Sequence, residues 1–161
     1  MRALFLTTIL FALTSACAKP EIDPLASVET VVAEVVGSPS PYEQKVTVYF
    51  TGSTPELMVR CRNELLASGT KSINYDSFVS ELKTLQSWMK KNQKAKINYR
   101  KNIGVFTFLG SEDGYDFGSL HVNDYRDVWC MLDRRDVAEL LRELKNVDKV
   151  KAKHLSTKIP D

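Results

Sequence analysis

The chain has 161 residues, of which 43% are hydrophobic and 26% charged, and its formal net charge is +2. This length fits one domain with processed or loose ends, and the composition excludes a disordered or collagen-like chain. Because 22 basic residues are balanced by 20 acidic ones, the charge gives no basis for predicting nucleic-acid binding.

Residues 1–18 have the pattern of a secretory signal peptide. Arg2 supplies the positive N-terminal region, and the run from Ala3 to Leu13 is apolar. This run is shorter than the about 20 residues that a membrane-spanning helix needs. We therefore predict that the chain is exported from the cytoplasm.

Two processing sites compete at the end of this segment. Ala16-Cys17-Ala18 is a small-x-small site, and a cut after Ala18 would release a soluble periplasmic protein. The stretch Leu13-Thr14-Ser15-Ala16-Cys17 resembles the lipobox of bacterial lipoproteins, and the resemblance implies that Cys17 is the site of lipid attachment. Since the next residue is not the aspartate associated with inner-membrane retention, the resemblance further implies an outer-membrane lipoprotein facing the periplasm. We favour this second interpretation, with residues 19–26 as a tether.

Two cysteines, Cys61 and Cys130, remain in the part of the chain that should fold. An even number of cysteines in an oxidising compartment predicts a disulfide. The bond would close a loop of about 69 residues and contribute about 4 kcal/mol to stability on the chain-entropy model. The alternative is that both are simply small buried side chains.

Residues 27–147 are predicted to form a single α+β domain. The segment from Val28 to Val36 has a helical apolar face, but its many β-branched residues favour a strand that forms a hairpin with Lys45–Thr51. The segment from Ser53 to Gly69 is predicted to be a helix, because a hydroxyl cap and Pro55 precede apolar residues at four-residue spacing. This predicted helix carries Cys61.

Two more helices are predicted further along the chain. Asp76 is expected to cap the second helix, whose apolar stripe is Phe78, Leu82, Leu85 and Met89. Asp133 is expected to begin the third, with Asp136 completing a variant capping box. Residues 148–161 form a basic C-terminal tail that either extends the third helix or frays, and whose lysines also allow contact with an anionic membrane.

Four short runs rich in β-branched and aromatic residues lie between Ala95 and Leu132, separated by turn residues. A turn at Lys101-Asn102 would place Ile97 opposite Phe106, and a turn over 124–126 would place Leu120 opposite Cys130. One face of this meander would then be apolar and the other wetter. The whole fold is predicted as an antiparallel sheet of about six strands, in hairpins and a meander, with about three helices packed mainly on one face.

Motifs with recognisable chemistry are sparse. The acidic cluster at Ser111–Asp116 is too short for a calcium loop, no zinc or nucleotide motif occurs, and we predict neither a metal nor a cofactor. His121 lies near Ser119 and Asp124, but that serine occupies no strand-to-helix elbow. A cross-strand pair of His121 with Trp129 is the simpler interpretation, and we expect the protein not to be an enzyme.

Aromatic residues in or beside predicted loops, together with the outer face of the meander, favour protein recognition. The candidate contact residues are Tyr115, Phe117, Tyr125, His121, Trp129 and Met131. The sequence thus predicts an exported bacterial envelope lipoprotein that binds another envelope or secreted protein, as immunity proteins, inhibitors or assembly factors do. We expect no nucleic-acid partner and membrane contact only through the lipid anchor. A small periplasmic hydrolase acting on cell-wall or protein substrates is the alternative.

Overall fold

The computed structural model describes residues 27–37, 43–64, 67–91, 99–110, 116–123 and 127–157. The predicted signal peptide, Cys17 and the tether lie outside the described residues, as do the acidic cluster at 111–115, Tyr115 and Tyr125. Export, lipid attachment and the domain boundaries therefore stay predictions.

The described chain contains eight strands and two helical regions. The strands are Thr30–Gly37 (β1), Gln44–Thr51 (β2), Glu56–Asn63 (β3), Ala67–Ser72 (β4), Tyr99–Ile103 (β5), Phe106–Gly110 (β6), Asp116–Asn123 (β7) and Asp127–Leu132 (β8). The first helical region is Tyr75–Lys91 (α1), and the second is Arg134–Glu143 (α2) and Val147–Leu155 (α3), joined by a 3-10 turn over Leu144–Asn146. No helix in this part of the chain is long and apolar enough to cross a bilayer.

The strands form two antiparallel sheets of four, in the orders β1-β2-β3-β4 and β5-β6-β7-β8. Each sheet is a meander followed by a helical region, so the same topology occurs twice along the chain. The predicted α+β class is confirmed, but the prediction of about six strands with three helices is wrong. Instead of one sheet with helices on one face, two sheets and both helical regions share one apolar core.

The first hairpin forms as predicted, with β1 paired to β2 and Val35 opposite Val46. Valine suits a strand because its branched side chain packs well on a pleated surface. The other edge of β1 meets the second helical region, where the N–H of Glu34 donates to Oε2 of Glu143 at 3.0 Å. That edge of the sheet is therefore partly covered.

The predicted helix from Ser53 to Gly69 is wrong, because this segment forms β3 and β4. Residues 52–55 are a turn, and Gly52 has a φ of 81°, which glycine adopts without strain. A four-residue spacing is even, so it also places Leu57 and Cys61 on one face of a strand. Both are buried, with buried Val59 between them, while the alternate residues are less buried.

The β5–β6 hairpin has a different register from the predicted one. Its turn lies at Gly104-Val105, so Lys101 is a strand residue and Ile103 lies opposite Phe106. Gly104 has a φ of +52°, and the N–H of Val105 donates to Oε2 of Glu81 at 3.0 Å. The β7–β8 hairpin has the predicted register, with Leu120 opposite Cys130.

Helix α1 buries the predicted stripe of Phe78, Leu82, Leu85 and Met89 against the second sheet. The ring of Phe78 lies 5.3 Å from that of Phe106. The N-terminus of α1 is capped by Asn74 and not by the predicted Asp76. Oδ1 of Asn74 accepts the N–H of Ser77 at 3.1 Å. Helix α2 begins with the predicted capping box of Asp133 and Asp136.

A disulfide and a hydrogen bond join the sheets. Cys61 of β3 and Cys130 of β8 form the predicted disulfide, with an S–S distance of 2.08 Å, and neither residue is exposed. At the edge of β8, Oε1 of the buried Gln44 accepts the N–H of Met131 at 2.6 Å. The first sheet therefore satisfies a backbone group that an open edge of the second sheet would leave unpaired.

The tail predicted at 148–161 continues as helix through Leu155. The side chain of His154, a residue of α3, is fully buried, and both of its ring nitrogens have partners. Since the carbonyl of Gly52 can only accept, Nε2 donates to it at 2.9 Å, while Nδ1 lies 2.8 Å from Oγ1 of Thr30. The histidine thus attaches α3 to the start of β1 and to the β2–β3 turn.

Candidate functional site

The outer face of the second sheet, directed away from α1, carries the candidate site. Strand pairing places Leu109 opposite Phe117 and His121 opposite Trp129 on this face. Thr107, Ser119 and Met131 form a row across three strands between those two pairs. We call this surface the outer groove; it is open, encloses about 450 Å³, and is lined by Arg100, Thr107, Leu109, Ser119, His121, Trp129 and Met131.

The sizes of the side chains explain why this face is concave. The central strands β6 and β7 contribute Thr107 and Ser119, which are small and buried. The flanking strands β5 and β8 contribute the larger Arg100, Trp129 and Met131. Small residues therefore form the floor and large ones the walls. The hydroxyl of Thr107 donates to Oδ1 of Asn102 at 3.0 Å, so this floor residue has its hydrogen bond within the protein.

The structure brings four of the six predicted contact residues onto this one face: Phe117, His121, Trp129 and Met131. All four are half-buried. Tyr115 and Tyr125 lie outside the described residues, so their prediction is untested. Arg100 and Leu109 also line the groove. The alternation of Phe106-Thr107-Phe108-Leu109 contained the signal for Leu109, because alternate residues of a strand share a face.

Ser119 and His121 line the same groove, but their arrangement does not resemble a catalytic pair. Alternate residues on a strand lie about 7 Å apart, whereas a nucleophile and its base need hydrogen-bond contact. Ser119 is only 3% exposed, which limits access to its hydroxyl. Within the described residues, no group of three or more His, Cys, Asp or Glu side chains is placed to hold a metal ion.

The outer face of the first sheet has a different chemistry. Nζ of Lys45 lies 2.7 Å from Oε1 of Glu34. Arg60 forms an ion pair with Glu29, and its guanidinium lies 4.6 Å from the centre of the Tyr49 ring. The polar groups of this face are thus largely paired with one another.

Tyr49 lies within this ion-pair cluster and has an altered acidity. Burial raises the pKa of its phenol above the ordinary value of 10.0, and the positive charge of Arg60 offsets part of that effect. The hydrogen bond to Glu29 raises the pKa of Arg60, so this guanidinium stays charged. The native state therefore retains the Tyr49 proton at pH values where the unfolded chain has lost it.

This difference predicts a stability change at alkaline pH. Because the folded-state pKa is raised, the contribution of Tyr49 is complete below pH 10 and is lost as the pH rises through the folded-state pKa. We expect Tyr49→Phe to make the fall in unfolding free energy above pH 10 less steep. Denaturant titrations of both proteins at several pH values measure the two slopes, and equal slopes would contradict the prediction.

No protein-family model matches the chain, and neither a curated protein nor a solved structure matches it. The class of this protein is therefore defined by its fold and its groove: a disulfide-linked α+β protein of two four-stranded meanders with an apolar outer groove on the second.

Proposed function

We propose that this protein is an exported envelope lipoprotein that binds another protein through the outer groove and has no enzymatic activity of its own. The observation that carries the proposal is the set of half-buried Trp129, Met131 and Leu109, with the exposed Arg100, around one open concave surface. Tryptophan, methionine and arginine are enriched where proteins bind each other. The envelope location rests on the pattern of residues 1–18.

The shape of the groove supports a protein partner. Its openness leaves room for side chains that project from another surface, whereas small-molecule sites enclose most of their ligand. The walls offer apolar contact area, and Arg100 provides a charged group at the rim. Partner side chains that insert into the groove would displace water from Trp129 and Met131, which is the main source of binding energy at interfaces.

Truncating the groove wall is the direct test. We expect Trp129→Ala to weaken partner binding about 30-fold, the effect of losing a hot spot of about 2 kcal/mol. The partner is first captured from an envelope extract and identified by mass spectrometry, and its affinity for each purified variant is then measured by calorimetry. Capture that does not depend on Trp129 would contradict the assignment of this surface.

A matched control is available in two methionines. Met131 lies in the groove and Met58 on the outer face of the first sheet, and both are half-buried strand residues. We expect Met131→Ala to weaken binding and Met58→Ala to leave it unchanged. Circular dichroism of both variants shows that each remains folded. Equal effects of the two substitutions would place the contact elsewhere.

Processing of the N-terminus needs a separate measurement. Mass spectrometry of the mature protein distinguishes a lipidated Cys17 from a chain that begins at Lys19 after a cut behind Ala18. The proposal predicts a lipidated Cys17. It also predicts that, in cell fractionation, the protein is found with the outer membrane. An unprocessed chain in the cytoplasm would overturn the proposed location while leaving the binding test of the groove intact.

A small hydrolase is the second candidate function, since Ser119, His121 and Arg100 line one groove. This candidate expects the purified protein to turn over peptidoglycan or a protein substrate, and Ser119→Ala to abolish the turnover. The burial of Ser119 argues against it. Turnover that depends on Ser119 would replace the binding proposal.

A further inference from the structure

The N-terminal end of the described chain lies against the C-terminal helix. Thr30, at the start of β1, contacts the buried His154 of α3 through its hydroxyl at 2.8 Å. Val32 lines a surface depression of about 490 Å³ together with Lys149 and Lys153 of the same helix. Whatever precedes residue 27 in the chain therefore begins close to α3.

The exposed side of α3 combines lysines with apolar residues. At about 100° per residue, Ala152 and Leu155 lie on a strip with Lys151 on one side and Lys149 and Lys153 on the other. All five residues are exposed. Among the described residues, three large apolar side chains are exposed, and one of them, Leu155 at 55%, lies on this strip. We call the exposed side of α3 the basal face.

The charge of the basal face is positive. Over Val147–Thr157 three lysines stand against one acidic residue, Asp148, which is exposed and lies on the strip between Leu155 and Ala152. Glu143 lines the same depression as Lys149 and Lys153, and its charge is offset by Arg142, whose Nη2 lies 3.7 Å from Oε1 of Glu143. The lysines thus retain a net attraction for an anionic surface.

The length of the preceding chain determines which surface lies within reach. Nine residues, Ala18 to Ala26, separate Cys17 from Ser27. Even fully extended, they span only about 35 Å. If Cys17 carries the lipid, as in the proposed function, the basal face is held within that distance of the bilayer. Lysines that flank an exposed apolar strip are the pattern of helices that lie on anionic membranes.

We infer that the basal face docks on the anionic bilayer that carries the lipid anchor. This is a second membrane contact, in addition to the lipid anchor expected from the sequence. Leu155 enters the headgroup region, and the lysines on both sides of the strip pair with lipid phosphates. Helix α3 contacts β1 and β2 of the first sheet, whereas the outer groove belongs to the second. Docking therefore leaves the groove free for its partner.

A fluorescent probe at position 155 tests this contact. The full chain with its native processing and the substitution Leu155→Cys is labelled with an environment-sensitive dye. Native processing lipidates or removes Cys17, and Cys61 and Cys130 are bonded and buried, so none of the three reacts. We expect acrylamide quenching to fall on vesicles of phosphatidylglycerol and phosphatidylcholine, and not on phosphatidylcholine alone. Added salt should reverse the protection.

Charge variants and a second probe position provide the controls. Adding Lys149→Ala and Lys153→Ala should shift the docking equilibrium of α3 towards the undocked state by about 25-fold, or about fivefold for each lysine. Arginine at both positions should preserve docking. A dye at Val36→Cys, the third exposed apolar position, should stay fully quenched because it lies at the opposite end of β1.

Two outcomes would overturn the inference. One is equal quenching at position 155 on anionic and neutral vesicles, and the other is protection by an added envelope protein but not by vesicles. If mass spectrometry finds no lipid on Cys17, the anchor of the proposed function fails. The comparison of anionic with neutral vesicles at high lipid concentration still decides whether the basal face binds the bilayer.

Discussion

Removing the Cys61–Cys130 disulfide is expected to lower the free energy of unfolding by about 4 kcal/mol. The two cysteines are separated by 69 positions, and without the bond the unfolded chain regains the conformational freedom of that long loop. Both residues are fully buried where β3 meets β8, so the bond links the two sheets inside the core. The free energy of unfolding of a domain of this size rarely exceeds about 15 kcal/mol, so the expected loss is a large fraction of it.

The measurement is urea denaturation of the double variant Cys61→Ala/Cys130→Ala beside the oxidised protein. We also expect the dependence of the free energy on urea concentration to become steeper, since an unfolded chain without the link exposes more surface. A reducing agent should destabilise the natural protein and leave the double variant unchanged. If both proteins unfold at the same urea concentration, the bond is either absent in solution or without effect on stability.

The disulfide was predictable from the sequence although the element that carries Cys61 was not. The pairing followed from the cysteine count and the expected compartment. The helix prediction failed because the apolar spacing of four residues fits a strand as well as a helix, and Pro55 with its neighbours favours a turn as well as a helix start. Local patterns could not decide between these interpretations.

The division into two sheets could not be predicted from the sequence, for a related reason. Strand β4 reads ASGTKS and has no apolar alternation. Its contribution to the core depends on smallness: a Cβ at Gly69 would lie 3.2 Å from the carbonyl oxygen of Val122 and 3.3 Å from Cβ of Val128. A close approach between two sheets is a tertiary property, and it cannot be predicted from the presence of a glycine in one strand.

The outer groove was predicted in part. Alternation along β7 and β8 placed His121 opposite Trp129, with Met131 on the same face. The concavity could not be predicted, because it depends on Thr107 aligning with Ser119 across β6 and β7. That alignment follows from the register of the β6–β7 pair, whose connection at 111–115 the sequence alone did not fix.

Gly37→Ala is the second change with a large expected effect, about 3 kcal/mol of destabilisation. A Cβ at Gly37 would lie 2.7 Å from the carbonyl oxygen of Met131, closer than real Cβ contacts. That carbonyl cannot move aside easily, because the N–H of the same residue donates to the buried Gln44. Either the end of β1 or the edge of β8 must shift, and the shift breaks this hydrogen bond between the sheets.

The neighbouring Val36→Ala is the control, since Val36 is 55% exposed and should change the unfolding free energy by less than about 0.5 kcal/mol. Replacing glycine by alanine also restricts the unfolded chain, which by itself would stabilise the protein by about 0.4–1 kcal/mol.

Gln44→Leu removes the acceptor of the Met131 N–H and should cost about 1–3 kcal/mol. Because both changes disrupt the same junction, the double variant should lose less than the sum of the two single effects. Additive losses would show that Gly37 and Gln44 stabilise the protein independently, and a Gly37→Ala protein as stable as the natural one would contradict the close contact between β1 and β8.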